Sequence, residues 1–341
     1  MRFYFREATK NLLKTYPFIL LRLLVGFLLG LGLLVGLLGA VWVWMVFGDI
    51  AGVAAGLVVL VLIVLFGIIL QPYLLYLVDG GHVAVLTEII TTGETPPSQI
   101  RFGLAQVKAN FGSVTLLFVI YFAIKQVLKQ VNSLINAIVG GTTERLSSSG
   151  RQKEAGVIQG LAGIVQLALN ITIGYVDKAI LANIYRSDEE NNWKPAKDGV
   201  VLYIKTWKPI LASALILATV VYLPFLIAAV FYEEILSQLG GEEAVIEWFE
   251  SLLLGFSDVG LIVVVVVFLA VLGILHLGIV KPFLTSLIVT IYLNETEGVE
   301  PVSEWESRLR EQSAEYRSFE RRAAGEEDAE KTGTWRDYIL P

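Results

Sequence analysis

Long apolar runs alternate along this chain with shorter segments whose apolar residues recur every three to four positions. Runs of roughly 20 apolar residues are long enough to cross a bilayer. The shorter segments have the period of an amphipathic helix. Residues 1–16 put Phe5, Ala8, Leu12 and Tyr16 on one face and Arg6, Lys10 and Lys14 on another. A first span is predicted from Pro17 to Phe47, with Trp42 and Trp44 at the far interface and Arg22 snorkelling near the start. After Gly48-Asp49-Ile50, a second span is predicted over 54–77, interrupted by Pro72.

The order then restarts twice. Residues 98–111 form a second amphipathic helix, with Ile100, Leu104, Val107 and Phe111 opposite Arg101 and Lys108. A third span begins at Gly112, and a polar loop, Gly140 to Glu154, separates it from a fourth over 155–176. Residues 195–208 carry Val200, Tyr203, Ile204 and Trp207 on one side and Lys197, Lys205 and Lys208 on the other. The fifth and sixth spans are predicted at 209–231 and 259–280.

The three units match in detail. Lys14-Thr15-Tyr16-Pro17, Lys108-Ala109-Asn110-Phe111-Gly112 and Lys205-Thr206-Trp207-Lys208-Pro209 each run from lysine through an aromatic residue to a helix breaker. Pro96/Pro97, Pro195 and Pro301 precede the amphipathic helices. Asp79 and Asp177 each follow valine at matching places. This order predicts an all-α integral membrane protein of six transmembrane helices in three parallel repeats. Repeat 1 covers 1–97, repeat 2 covers 98–194 and repeat 3 covers 195–300; residues 301–341 form a cytoplasmic amphipathic helix and tail. Parallel repeats are related by an axis along the membrane normal, so a pseudo-threefold centre is expected.

Composition strengthens the membrane reading. Hydrophobic residues make up 55% of the 341 and charged residues 17%, more apolar surface than a soluble chain of this size can bury. The side holding both termini and the 2–3 and 4–5 connections carries 21 of the 26 lysines and arginines. The 5–6 connection carries none, but holds Glu233, Glu234, Glu242, Glu243, Glu247 and Glu250. The positive-inside rule therefore puts both termini in the cytoplasm, and the expected location is a prokaryotic plasma membrane, crossed several times. The first apolar run is too long for a signal peptide.

Candidate chemistry is sparse. No cysteine is present, which excludes disulfides and thiolate chemistry, and two histidines give no metal-ligand spacing. No basic patch stands apart from acidic neighbours, so no nucleic-acid partner is expected. No nucleotide loop, G-x-S-x-G or H-E-x-x-H appears; the chain is read as neither an enzyme nor a cofactor binder. The unusual stretch is the third span, where Lys125, Gln126, Lys129, Gln130, Asn132 and Asn136 follow an apolar first half. Lys125, Lys129, Asn132 and Asn136 share one helical face, and Lys125 falls about 20 Å from Gly112, past the middle of a roughly 30 Å core. The fourth span answers with Gln159, Gln166 and Asn170, and the two faces together would line a polar path with positive potential. The same lysines would otherwise snorkel to the far interface.

Asp79 and Asp177 are expected as interfacial ion pairs; the functional alternatives are pairing with lysines of the amphipathic helices, which would lock each unit, or a cation-binding ring. His276 is a candidate proton relay or a helix-packing hydrogen bond. Glycines 26, 30, 32, 36 and 39 allow close helix contact within the chain or between copies, which leaves a homo-oligomer open. Two function classes follow. One is a channel or transporter for an anion or a lipid-like amphiphile, using the path along spans three and four. The other is a scaffold whose amphipathic helices bind membrane lipids and whose residues 301–341 dock a cytoplasmic protein.

Overall fold

Proline and glycine set most joints of the chain. The computed structural model describes residues 4–65, 71–111, 152–231, 271–301, 303–312 and 314–325, with scattered positions between 234 and 244. Among these residues every regular element is helical: α1 (Phe5–Lys14), α2 (Tyr16–Phe47), α3 (Asp49–Leu65), α4 (Gln71–Thr92), α5 (Gln99–Phe111), α6 (Gln152–Gly174), α7 (Val176–Tyr185) and α8 (Trp193–Val230). Beyond them lie α9 (Val271–Glu295), α10 (Ser303–Gln312) and α11 (Ala314–Ala323). Pro17 sits at the first turn of α2, where its missing N–H costs nothing. Gly48 ends α2 at φ 81°, a conformation a side chain resists, and so turns the chain into α3. A π turn, His276–Val280, interrupts α9 just before Pro282, whose ring cannot supply the next helical hydrogen bond.

Five helices are long and apolar enough to cross a membrane: Tyr16–Phe47, Leu74–Thr92, Gly163–Tyr185, Trp193–Val220 and Val271–Glu295. The predicted third span lies outside the described residues. Of the predicted second span, α3 covers the described residues as far as Leu65 and α4 those from Gln71 onward; 66–70 lie outside the described residues. α4 also continues well past residue 77, to Thr92.

Burial divides the molecule into two zones. Large apolar side chains stand exposed along α2 and α3, from Leu20 through Phe47 to Leu65, along α8 from Trp207 to Ile227, and over α9 from Val271 to Val280. This is surface that lipid covers. Past Tyr76 on α4, Val176 on α7 and Lys281 on α9 the side chains turn inward, and Leu86, Ile180, Leu181, Ile288 and Tyr292, with Val200 and Val201 of α8, form one buried cluster. This half is a packed helical base.

Within the base, α4, α7 and the second half of α9 pack against one another. Each carries another helix: α5 lies on α4, α8 on α7, and α1 on α9. The first helix of the chain therefore closes onto the last long one. Asn11 Nδ2 donates to Thr290 Oγ1 (3.3 Å) and Ser286 Oγ donates to the Ala8 carbonyl (2.7 Å). α10 and α11 cover α8, with Leu309 and Tyr316 buried.

Three expectations need correction. α8 is one helix of 38 residues and does not break at Pro209; the proline removes a single backbone bond and the helix runs on. α5 is rolled from its predicted face: Gly103 and Val107 are buried, whereas Leu104 is 48% exposed. Gly103 explains this, since a Cβ there would stand 2.6 Å from the Gly81 carbonyl oxygen, so the two backbones meet through glycine. In the C-terminal segment the i,i+4 spacing of Glu306 and Arg310 predicts a pair within one helix, but Arg310 pairs with Glu320 of α11 (2.6 Å) and Glu306 with Lys197 of α8 (3.0 Å).

Candidate functional site: a charged layer between the two zones

Where the lipid-type surface ends and the base begins, charged side chains from three helices meet. Arg22 reaches this layer from the first turns of α2, Asp79 from α4, and Asp177 and Lys178 from the start of α7. Arg22 Nη2 donates to Asp79 Oδ1 at 2.5 Å. Lys178 Nζ bridges Asp79 Oδ2 (3.0 Å) and Asp177 Oδ2 (2.9 Å) and lies 4.6 Å from the centre of the Tyr76 ring. Charge-assisted bonds of this kind are strong, and here they offset the cost of taking ions out of water. Lys281, the first residue after the π turn, lies within electrostatic reach of Asp79. It follows Val280 as Asp79 follows Val78 and Asp177 follows Val176. The layer thus holds three cations and two carboxylates among the described residues.

Arg22 does not snorkel. Its side chain is 1% exposed, and Asp79 explains why a guanidinium can stay there. The pairing is incomplete, because Arg22 Nε and Nη1 are buried and meet no acceptor among the described residues. An unmet buried donor costs free energy, so these two donor nitrogens are an opening for an acceptor that fits between them.

His82 lies one turn further into the base and is fully buried. Its ring stacks on Phe18, with centroids 5.2 Å apart. Thr15 Oγ1 is 2.9 Å from His82 Nε2 and 3.0 Å from the Leu12 carbonyl. With the hydroxyl proton given to that carbonyl, His82 donates through Nε2–H, and Nδ1 is left as a buried acceptor without a partner among the described residues.

The predicted residues fare differently. Asp79 and Asp177 come together through Lys178, and their partners are Arg22 and Lys178 instead of lysines from the amphipathic helices. Gln166 Nε2 donates to Asn170 Oδ1 (3.1 Å) on the surface of α6, so these two bond each other. His276 opens the π turn and is exposed. Lys125, Gln126, Lys129, Asn132 and Asn136 lie outside the described residues, as does the side chain of Gln159. Pattern reading missed Lys178, which looks like an ordinary flanking cation, and grouped Lys281 with His276 and not with this layer. The signal that would have found Lys281 is the valine-plus-charge step repeated at all three inward turns.

Comparison with protein-family models, curated proteins and solved structures found no match.

Proposed function

We propose that this chain is a membrane channel or transporter for an anionic solute or a lipid-like amphiphile, with the charged layer as its selective point. The observation that carries the reading is Arg22: a guanidinium buried at the edge of the lipid-facing zone, with two donor nitrogens that meet no acceptor among the described residues, in a layer where cations outnumber carboxylates among those residues. Ionisable groups held at such depth are costly, and transport proteins place them along ion paths. In this reading the path continues along the third and fourth spans past Lys125, Lys129, Asn132, Asn136, Gln159, Gln166 and Asn170. Both termini and the base face the cytoplasm, as the basic-residue bias favours. The cyclic order of the base, with α1 on α9, α5 on α4 and α8 on α7, supports three parallel repeats around a pseudo-threefold axis. No catalytic role is proposed.

Anion flux from liposomes containing the purified chain tests the proposal. A gradient-driven flux that falls at least tenfold in Arg22→Gln is expected. Absence of flux in either direction, or flux unchanged in both Arg22→Gln and the Lys125→Ala plus Lys129→Ala variant, would overturn it.

A second reading, a scaffold that docks a cytoplasmic protein, is favoured by one observation. α10 and α11 form a helical pair fixed to α8 by Lys197–Glu306 and by buried Leu309 and Tyr316. Salt-sensitive capture of a defined partner by the full chain, abolished when residues 301–341 are removed, would support it over transport.

A further inference from the structure

α1 is held in an unusual way for a helix with so basic an edge. One face is locked into the base through Ala8, Asn11, Leu12 and Thr15, all buried. The opposite face carries Arg6, Lys10 and Lys14, one per turn, along a shallow cleft of about 650 Å³ shared with Thr9 and Leu13. No carboxylate lies within ion-pair distance of these three cations among the described residues. The contrast with the other basic cleft of the molecule is informative. There Lys194 is answered by Glu189, Lys197 by Asp198 and Glu306, and Arg310 by Glu320.

The α1 edge also points to where its ligand comes from. Leu13 is 65% exposed and Tyr16 is 59% exposed, and α2 presents lipid-type surface from Leu20 onward. A row of unanswered cations, flanked by an exposed leucine and an exposed tyrosine, therefore runs into the bilayer boundary. The chemistry that matches is a phosphate monoanion whose own acyl chains lie beside α2. Lys205, Trp207 and Lys208 repeat the combination on α8, where all three are exposed at the same boundary.

We propose that the Arg6–Lys10–Lys14 edge of α1 is a docking site for the headgroup of an anionic phospholipid in the adjoining leaflet. Each cation near an anionic surface contributes about fivefold in affinity, so the three together select anionic over zwitterionic lipid by well over tenfold. The helix needs no folding on binding, because its other face is already fixed. The site does not depend on whether the chain transports anything.

The test is native mass spectrometry of the purified full-length chain, titrated in detergent with phosphatidylglycerol or phosphatidylcholine of the same acyl chains. Wild type is expected to retain phosphatidylglycerol at least tenfold better. Arg6→Gln, Lys10→Gln and Lys14→Gln combined should remove most of that preference, whereas Arg310→Gln with Arg317→Gln should leave it intact. Equal retention of the two lipids by wild type would overturn the proposal without any variant being needed. So would an unchanged preference in the triple variant, or displacement of the lipid by millimolar inorganic phosphate, which would mark a site for a free anion.

Discussion

Asp79 holds two cations at once, and the charged layer depends on it. Replacing it with asparagine keeps the shape and removes the charge, leaving Arg22 and Lys178 buried without their shared counter-ion. Breaking a buried pair in this way costs about 3–5 kcal/mol. Asp79→Asn should therefore lower the thermal midpoint in detergent by many degrees. Arg22→Gln added to Asp79→Asn should cost less than the two single changes summed, a coupling that a double-mutant cycle reads directly. Gly103 makes the opposite kind of prediction. Gly103→Val would push a branched side chain into the Gly81 carbonyl and separate α4 from α5, destabilising by about 1–3 kcal/mol in the same assay. Asp79 and Asp177 were legible in the sequence, because a charge at the end of an apolar run is conspicuous. Arg22 was legible as a charge but not as a partner, since Asp79 lies 57 positions away. Gly103 was invisible to periodicity: a residue without a side chain adds nothing to an apolar stripe, yet it decides which face of α5 is buried.

Among the helices, α1 shows how far an amphipathic pattern reaches. Ala8 and Leu12 were placed correctly on the inner face, and Tyr16 was not, because Thr15 ends α1 before the pattern reaches it. What the pattern withheld is which element receives that face. α1 packs on α9, at the other end of the sequence, and no local rule names so distant a partner. The chain has no native cysteine, so the contact can be tested cleanly. Asn11→Cys with Thr290→Cys should form a disulfide under mild oxidation, seen as a shift on non-reducing electrophoresis. Asn11→Cys with Met45→Cys should not. Failure of the first pair to cross-link would remove α1 from the base.

At the scale of the molecule, the division into lipid-facing arms and a packed base follows from where apolar residues outnumber what the base can bury. That division was readable beforehand in part: the predicted span end at 280 falls where exposed apolar surface gives way to buried core, whereas α6 already buries Ile164, Ala168 and Leu169 before 176, and the apolar helices run on to Thr92, Tyr185 and Glu295. The closing of the base was not, because it depends on contacts between α4, α7 and α9 that are far apart in sequence. Membrane sidedness gives the matching prediction. A thiol reagent that does not cross membranes should label Ile50→Cys from outside in intact cells, and Lys10→Cys from the cytoplasmic face only once the cells are permeabilised. Labelling of both from one face would reject the two-zone arrangement.

Most routes from bilayer to base have a joint: α1 gives way to α2 at Thr15, α6 to α7 at Tyr175, and α9 has its π turn. α8 has none, and it is gripped at its far end by α11 and by the Lys197–Glu306 bridge. A tilt of about 5° pivoting at Lys205 would swing Trp193, ~18 Å along the axis, by about 1.6 Å. Such a tilt would displace the Trp193 ring beneath Arg322, whose guanidinium rests on it.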